Sequence, residues 1–158
     1  MKISILFLVL LLFSGPYGVA AICPIRAPAA SERQTKPPYD SYKGITIGMP
    51  TTDVRTKLGK PTDESDAEDD FTFSETESAR VFYDEKKTVR VISVMYTGDL
   101  KLAPTPKAIV GTDVPPKPDG GIQKTVQYPK AGFWISYSRT GGDDAIVIIT
   151  LQKMAKEN

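Results

Sequence analysis

Apolar and polar positions change their period several times along this chain of 158 residues. Residues 3–13 form an apolar run interrupted only by Ser4. Further on, within GITIGMPTTDVRTKLGKP (residues 44–61), Met49, Val54 and Leu58 recur at roughly helical spacing. That spacing predicts a short amphipathic helix with one face to dock on a sheet. Pro50 has its φ preset for a first helical turn, and Thr51 or Thr52 offers a hydroxyl to the unpaired N–H groups there. Asp53 places negative charge at the positive end of the helix dipole, and Lys57 and Lys60 sit near the negative end. Gly59 is expected in the left-handed cap conformation, and Pro61 prevents continuation.

Beyond the helix the period shortens to two. Residues 71–73 alternate apolar and polar, residues 79–83 are aromatic and β-branched, and a polar turn at 84–87 leads into residues 89–96. In that last strand Val89, Val91 and Met95 are expected on one face and Ile92, Val94 and Tyr96 on the other. Residues 101–121 carry five prolines and end in Asp119-Gly120-Gly121, which reads as a connector with a helical turn near 107–110. The earlier pattern then returns. Residues 126–128 echo 71–73, residues 133–137 echo 79–83, and residues 145–151 echo 89–96 across a Gly-Gly turn at 139–144. Two architectures fit: a degenerate tandem duplication, or one continuous six-stranded antiparallel sheet without repeat ancestry. In either, the apolar residues 146–149 suit a central strand.

The helix and its flanks resemble a known family. Ile47, Gly48 and Met49, then Asp53 and Val54, then Leu58, Gly59, Lys60 and Pro61 look like the BamE (SmpA/OmlA) family of small envelope lipoproteins, and the resemblance runs to about Thr97. It implies an α+β fold of the two-layer BamE-like type, with short helices packed on an antiparallel sheet. It also implies a scaffolding role in outer-membrane protein assembly. Secreted β-lactamase-inhibitory proteins share a similar, duplicated architecture. Only the fold is carried over, because the matching residues cap and dock a helix and name no binding residue.

The N-terminus reads as a secretory signal over residues 1–21: Lys2, the apolar run, a Ser14-Gly15-Pro16 break, and Val19-Ala20-Ala21 for cleavage. The apolar run is too short for a comfortable membrane span, so none is expected after cleavage. Residues 22–43, with Pro24, Pro28, Pro37 and Pro38, read as a flexible tether. The folded part then divides into a BamE-like unit over 44–100, the connector over 101–121, and a second β-hairpin unit over 122–153 packing on the first. Cys23 raises the question of lipidation, but Ile22 stands where the preceding residue must be small, so lipidation is disfavoured. As the only cysteine, Cys23 cannot form an intrachain disulfide. The chain has 20 basic and 19 acidic side chains, and cleavage removes Lys2 and no acid. Balanced charge leaves no electrostatic footprint for nucleic acid.

Chemistry is scarce. The chain has no histidine, which excludes Ser-His and Cys-His nucleophilic systems and histidine-containing metal sites. No phosphate-binding or dinucleotide fingerprint is present. Glu75 and Glu77 lie two apart near a turn, where a polar hairpin turn explains them better than an acid–base pair. Residues 62–70 hold six acids but lack the EF-hand pattern, and read as a solvated loop rather than a calcium site. No catalytic residue, metal or cofactor is assigned, and the chain reads as non-catalytic.

The aromatic residues are more informative. If Phe133, Ile135 and Tyr137 face the core, then Trp134 lies on the outer face, with Arg80 and Phe82 on the equivalent face of the first hairpin. Trp134, Phe82 and Arg80 are thus the expected partner-binding residues, unless Trp134 packs under the proline-rich connector. The favoured function is an exported, non-catalytic envelope protein, periplasmic, secreted or outer-membrane-associated, that binds another envelope or secreted protein. Two alternatives stand beside it. One is a secreted enzyme inhibitor with a concave sheet. The other is a periplasmic small-ligand-binding domain, which needs an enclosed apolar pocket lined by Tyr83, Tyr96 and Trp134.

Overall fold

A computed structural model describes residues 36–155. The signal expected at 1–21, Cys23, and the expected tether up to residue 35 lie outside the described residues. The architecture is α+β: a seven-stranded antiparallel sheet with two short helices and one 3₁₀ turn. The chain runs through helix α1 (Thr51–Leu58) and then four strands, β1 (Asp63–Glu64), β2 (Glu68–Thr72), β3 (Glu77–Tyr83) and β4 (Val89–Tyr96). Helix α2 (Pro106–Val110) follows, and then β5 (Ile122–Tyr128), β6 (Phe133–Arg139) and β7 (Val147–Lys153). Across the sheet the order is β1-β2-β3-β4-β7-β6-β5. Two helix-plus-meander halves therefore meet at the β4–β7 ladder, in which Ser93 pairs with Thr150. The second half extends the sheet of the first edge to edge and contains three strands rather than a packed hairpin.

Helix α1 forms where its sequence pattern places it, but its ends are held differently. Pro50 is the N-cap residue rather than part of the first turn, and no side chain caps the helix. The Thr51 hydroxyl instead donates to the Lys87 carbonyl, tying the helix to the β3–β4 turn. Gly59 has φ 86° and ψ −163°, outside the left-handed helical region that the sequence suggests. That combination still needs glycine. The true left-handed cap is Gly111, which ends α2, while Thr105 accepts from the Ala108 N–H at its start.

One alternating set of strand residues builds the core: Val81 and Tyr83 of β3, Ile92 and Val94 of β4, Ile149 and Leu151 of β7, Ile135 and Tyr137 of β6. Val54 of α1 and Ile109 and Val110 of α2 join the same cluster, fully buried. Each such aliphatic side chain contributes about 1.5–3 kcal/mol of burial. Val89 also enters this core, against the expectation that it shares a face with Val91 and Met95. A register shift between Phe82 and Tyr83 pairs Val89 with Tyr83, so the strand changes phase between Val89 and Val91. The folded unit also begins earlier than residue 44. Tyr42 is 4% exposed, and its hydroxyl donates to Glu77 Oε1 at 2.8 Å.

Candidate functional site

The other alternating set of strand residues stays outside the core cluster and forms an open face. Antiparallel register arranges it in lateral rows. One row runs Glu68, Phe82, Val91, Gln152, Trp134, Gln127 across six strands. The next runs Asp70, Arg80, Ser93, Thr150, Ser136, Thr125, and the third Thr72, Ser78, Met95, Ile148, Ser138, Gln123. Trp134, Phe82 and Arg80 therefore share the face expected for them, with Trp134 and Phe82 in a single row. Residues opposite one another on neighbouring strands have Cβ atoms about 4.5–5.5 Å apart, so each row is a continuous surface.

Exposure along these rows is uneven. Met95 is 40% exposed, Phe82, Trp134 and Ile148 are half-buried, and Val91 is 9% exposed between its row neighbours. The small side chains of Ser93 in the middle row and Ser78 in the third leave a groove of about 550 Å³, lined also by Asp63, Arg80, Phe82, Met95 and Ile148. A second groove of about 680 Å³ runs beside Trp134, bounded by Gln127, Pro129, Gln152 and Met154. Arg80 does not present a free charge to either groove. Its Nε and Nη2 donate to the two oxygens of Asp70 at 2.6 and 2.9 Å, and this hydrogen bonding raises its pKa further. A fork of this kind fixes the guanidinium plane along the surface.

Trp134 does not pack under the proline-rich connector. Pro104 and Pro106 lie beside Ile122, Tyr137 and Val147, whose side chains belong to the core set. Nor do Tyr83, Tyr96 and Trp134 line one pocket. The two tyrosines point into the core and the tryptophan points away, as their strand positions require.

The acidic stretch at 62–70 is only partly the solvated loop expected: residues 62–67 are exposed, and residues 65–67 lie outside any strand, but residues 68–70 enter the sheet. It supplies β1 and the start of β2, and strand alternation sends its carboxylates to opposite faces. Asp69 is fully buried and receives Arg55 Nε and Nη2 at 2.9 and 2.8 Å and the Tyr83 hydroxyl at 2.6 Å. Burial and this bond to Asp69 push the Tyr83 hydroxyl pKa well up, and the Asp69 hydrogen bonds raise Arg55. Glu75 and Glu77 do not converge as an acid–base pair. Glu75 is exposed, whereas Glu77 accepts from Tyr42 and Tyr96 and is 3.3 Å from Lys43 Nζ, holding the N-terminal segment to the sheet. Burial, with Glu77 nearby, pushes Tyr96 up to about 12.

Sequence reasoning missed Val91 and Gln152 as the residues that join Phe82 to Trp134, since the β4–β7 pairing is not visible in either strand alone. It also missed Asp69, whose place two residues before the apolar Phe71 on the same strand face was the available signal. Comparison with protein-family models, curated proteins and solved structures finds no match for this chain.

Proposed function

We propose that this chain is an exported, non-catalytic envelope protein that binds another protein through the open face of its sheet. The observation that carries this reading is the row in which half-buried Phe82 and Trp134 flank Val91 and Gln152, on the face opposite the core. Aromatic anchors beside an oriented arginine are the composition of protein interfaces, where a few such residues supply most of the affinity. The BamE-like resemblance around Gly48, Val54 and Gly59 supports a scaffold of outer-membrane protein assembly in the two-layer form of that family. The signal-like residues 1–21 support export.

The symmetric order of the two halves and the groove between Phe82 and Ile148 favour a second reading, a secreted inhibitor built by tandem duplication that offers its sheet to an enzyme. Fractionation with intact-mass measurement separates the two. A chain beginning at Cys23 with added acyl mass, recovered with the outer membrane, supports the scaffold. A soluble chain beginning at Ile22 supports the inhibitor. The binding claim itself is tested with a purified partner: Phe82→Ala and Trp134→Ala are each expected to weaken binding at least about tenfold while leaving the fold intact. Unchanged affinity in both variants contradicts it.

A further inference from the structure

The two halves of the open face differ in chemistry. On β2–β4 it carries charge and bulk: Glu68, the Asp70–Arg80 pair, Phe82 and Met95. On β5–β7 every open-face position is uncharged, and apart from Trp134 and Ile148 each carries a hydroxyl or a carboxamide. Trp134 pairs directly with Gln127 on one side and Gln152 on the other. Among the described residues, neither carboxamide nor the indole N–H has a hydrogen-bond partner, and the hydroxyls of Thr125, Ser136 and Thr150 have none either. The groove of about 680 Å³ runs along this same row.

We propose that Trp134, Gln127 and Gln152 form a binding site for a neutral pyranoside glycan. The C–H bonds on one face of a pyranose ring carry partial positive charge, and the indole face is negative, so the ring stacks on Trp134. Each glutamine offers an acceptor oxygen and two N–H donors, which suits a pair of neighbouring sugar hydroxyls. With Cβ atoms about 4.5–5.5 Å from that of Trp134, both amides reach the rim of a ring seated on the indole. Other occupants fit less well. Nucleic acid needs lysine or arginine against its phosphates; the three rows of this half present neither, and Lys153, which lines the end of the groove, is already paired with Asp84 at 3.0 Å. The apolar lining beside Trp134 is Pro129, Met154 and Ala155, with no second aromatic anchor in this groove; the protein-binding reading needs Phe82, three strands away. The glycan site goes beyond protein binding, which draws on Phe82 and Arg80 as well and is scored with a protein partner.

Trp134 is the only tryptophan, so its fluorescence reports this site alone. The full exported chain is titrated with cellohexaose and with the hexamer of β-1,4-linked N-acetylglucosamine, following Trp134 emission and its quenching by acrylamide. At least one probe is expected to shift the emission saturably and to shield the indole from quencher. Gln127→Ala and Gln152→Ala are each expected to weaken that binding about tenfold, and Lys57→Ala on α1 leaves it unchanged. Circular dichroism confirms that the glutamine variants fold. No change in emission or quenching with either probe up to its solubility limit overturns the proposal. So does binding that survives both glutamine substitutions.

Discussion

Phe82 and Trp134 stand in one lateral row of the sheet, three strand spacings or about 14 Å apart, with Val91 and Gln152 between them. They come from different halves of the chain, and the β4–β7 ladder puts them on one surface. Neither belongs to the core cluster. Replacing either with alanine is therefore expected to cost less than about 1.5 kcal/mol of stability, below the range for buried aromatics. Urea unfolding checks this, and a larger loss would mean the row is structural rather than functional.

Asp69 and Arg55 supply a contrast on the core side. Removing the guanidinium leaves a fully buried carboxylate with only the Tyr83 hydroxyl on it. Arg55→Ala is expected to cost about 2–3 kcal/mol, at or below the lower end for a broken buried pair because Arg55 is itself about one-third exposed. Tyr83→Phe removes one donor to a charged acceptor and is expected to cost about 1.5 kcal/mol. Equal effects from Arg80→Ala on the exposed Asp70 pair would contradict the role of burial.

Acid stability is expected to depend on Asp84. The Thr88 backbone N–H, then Lys153 at 3.0 Å, hold its carboxyl well below the usual carboxylate range. A depressed folded pKa gives stability that is present above the unfolded value near 4 and lost as pH falls below it. Between about pH 5 and pH 2 the melting temperature is expected to fall less steeply in Asp84→Asn than in the wild type.

At alkaline pH the sign reverses. Burial raises the pKa of Tyr42, Tyr83 and Tyr96, the last to about 12. Their stabilisation is complete below the unfolded value near 10 and is lost as pH rises through the folded values. Phenolate absorbance is expected to show these tyrosines ionising late, together with the loss of tertiary circular dichroism.

Gly141 tests the close approach of two loops. A Cβ there would overlap the Asp119 carbonyl oxygen, and the nearby Gly142 N–H bonds that same oxygen. Gly141→Ala is expected to destabilise by about 1–3 kcal/mol, as overpacking does. Thermal unfolding beside Lys57→Ala measures it.

The strand pattern was readable wherever alternation was strict. β4 falls on residues 89–96 as expected, and residues 133–137 lie within β6, because both runs are dense in aromatic and β-branched residues, with Phe133, Ile135 and Tyr137 at every second position. β1 and the first half of β2 were not readable, since acidic residues at 63–70 look like a loop until Arg55, Arg80 and Tyr83 neutralise or bond them in space. The phase change at Val89 needs the register shift opposite it, which lies in another strand. The outward orientation of Trp134 followed from parity alone. Its alignment with Phe82 did not, because it depends on which strands pair at the centre of the sheet.

The most direct test of the open face is position-dependent photo-crosslinking in the cells that make the protein. A benzophenone side chain is placed at Ser93 or Ser136 on the open face, and at Thr56 or Lys57 on α1 as controls. A discrete adduct with one protein from the open-face positions, lost when Phe82→Ala and Trp134→Ala are combined, is the expected result. Adducts that form equally from α1, or that persist in the double variant, would show that the open face is not the binding surface.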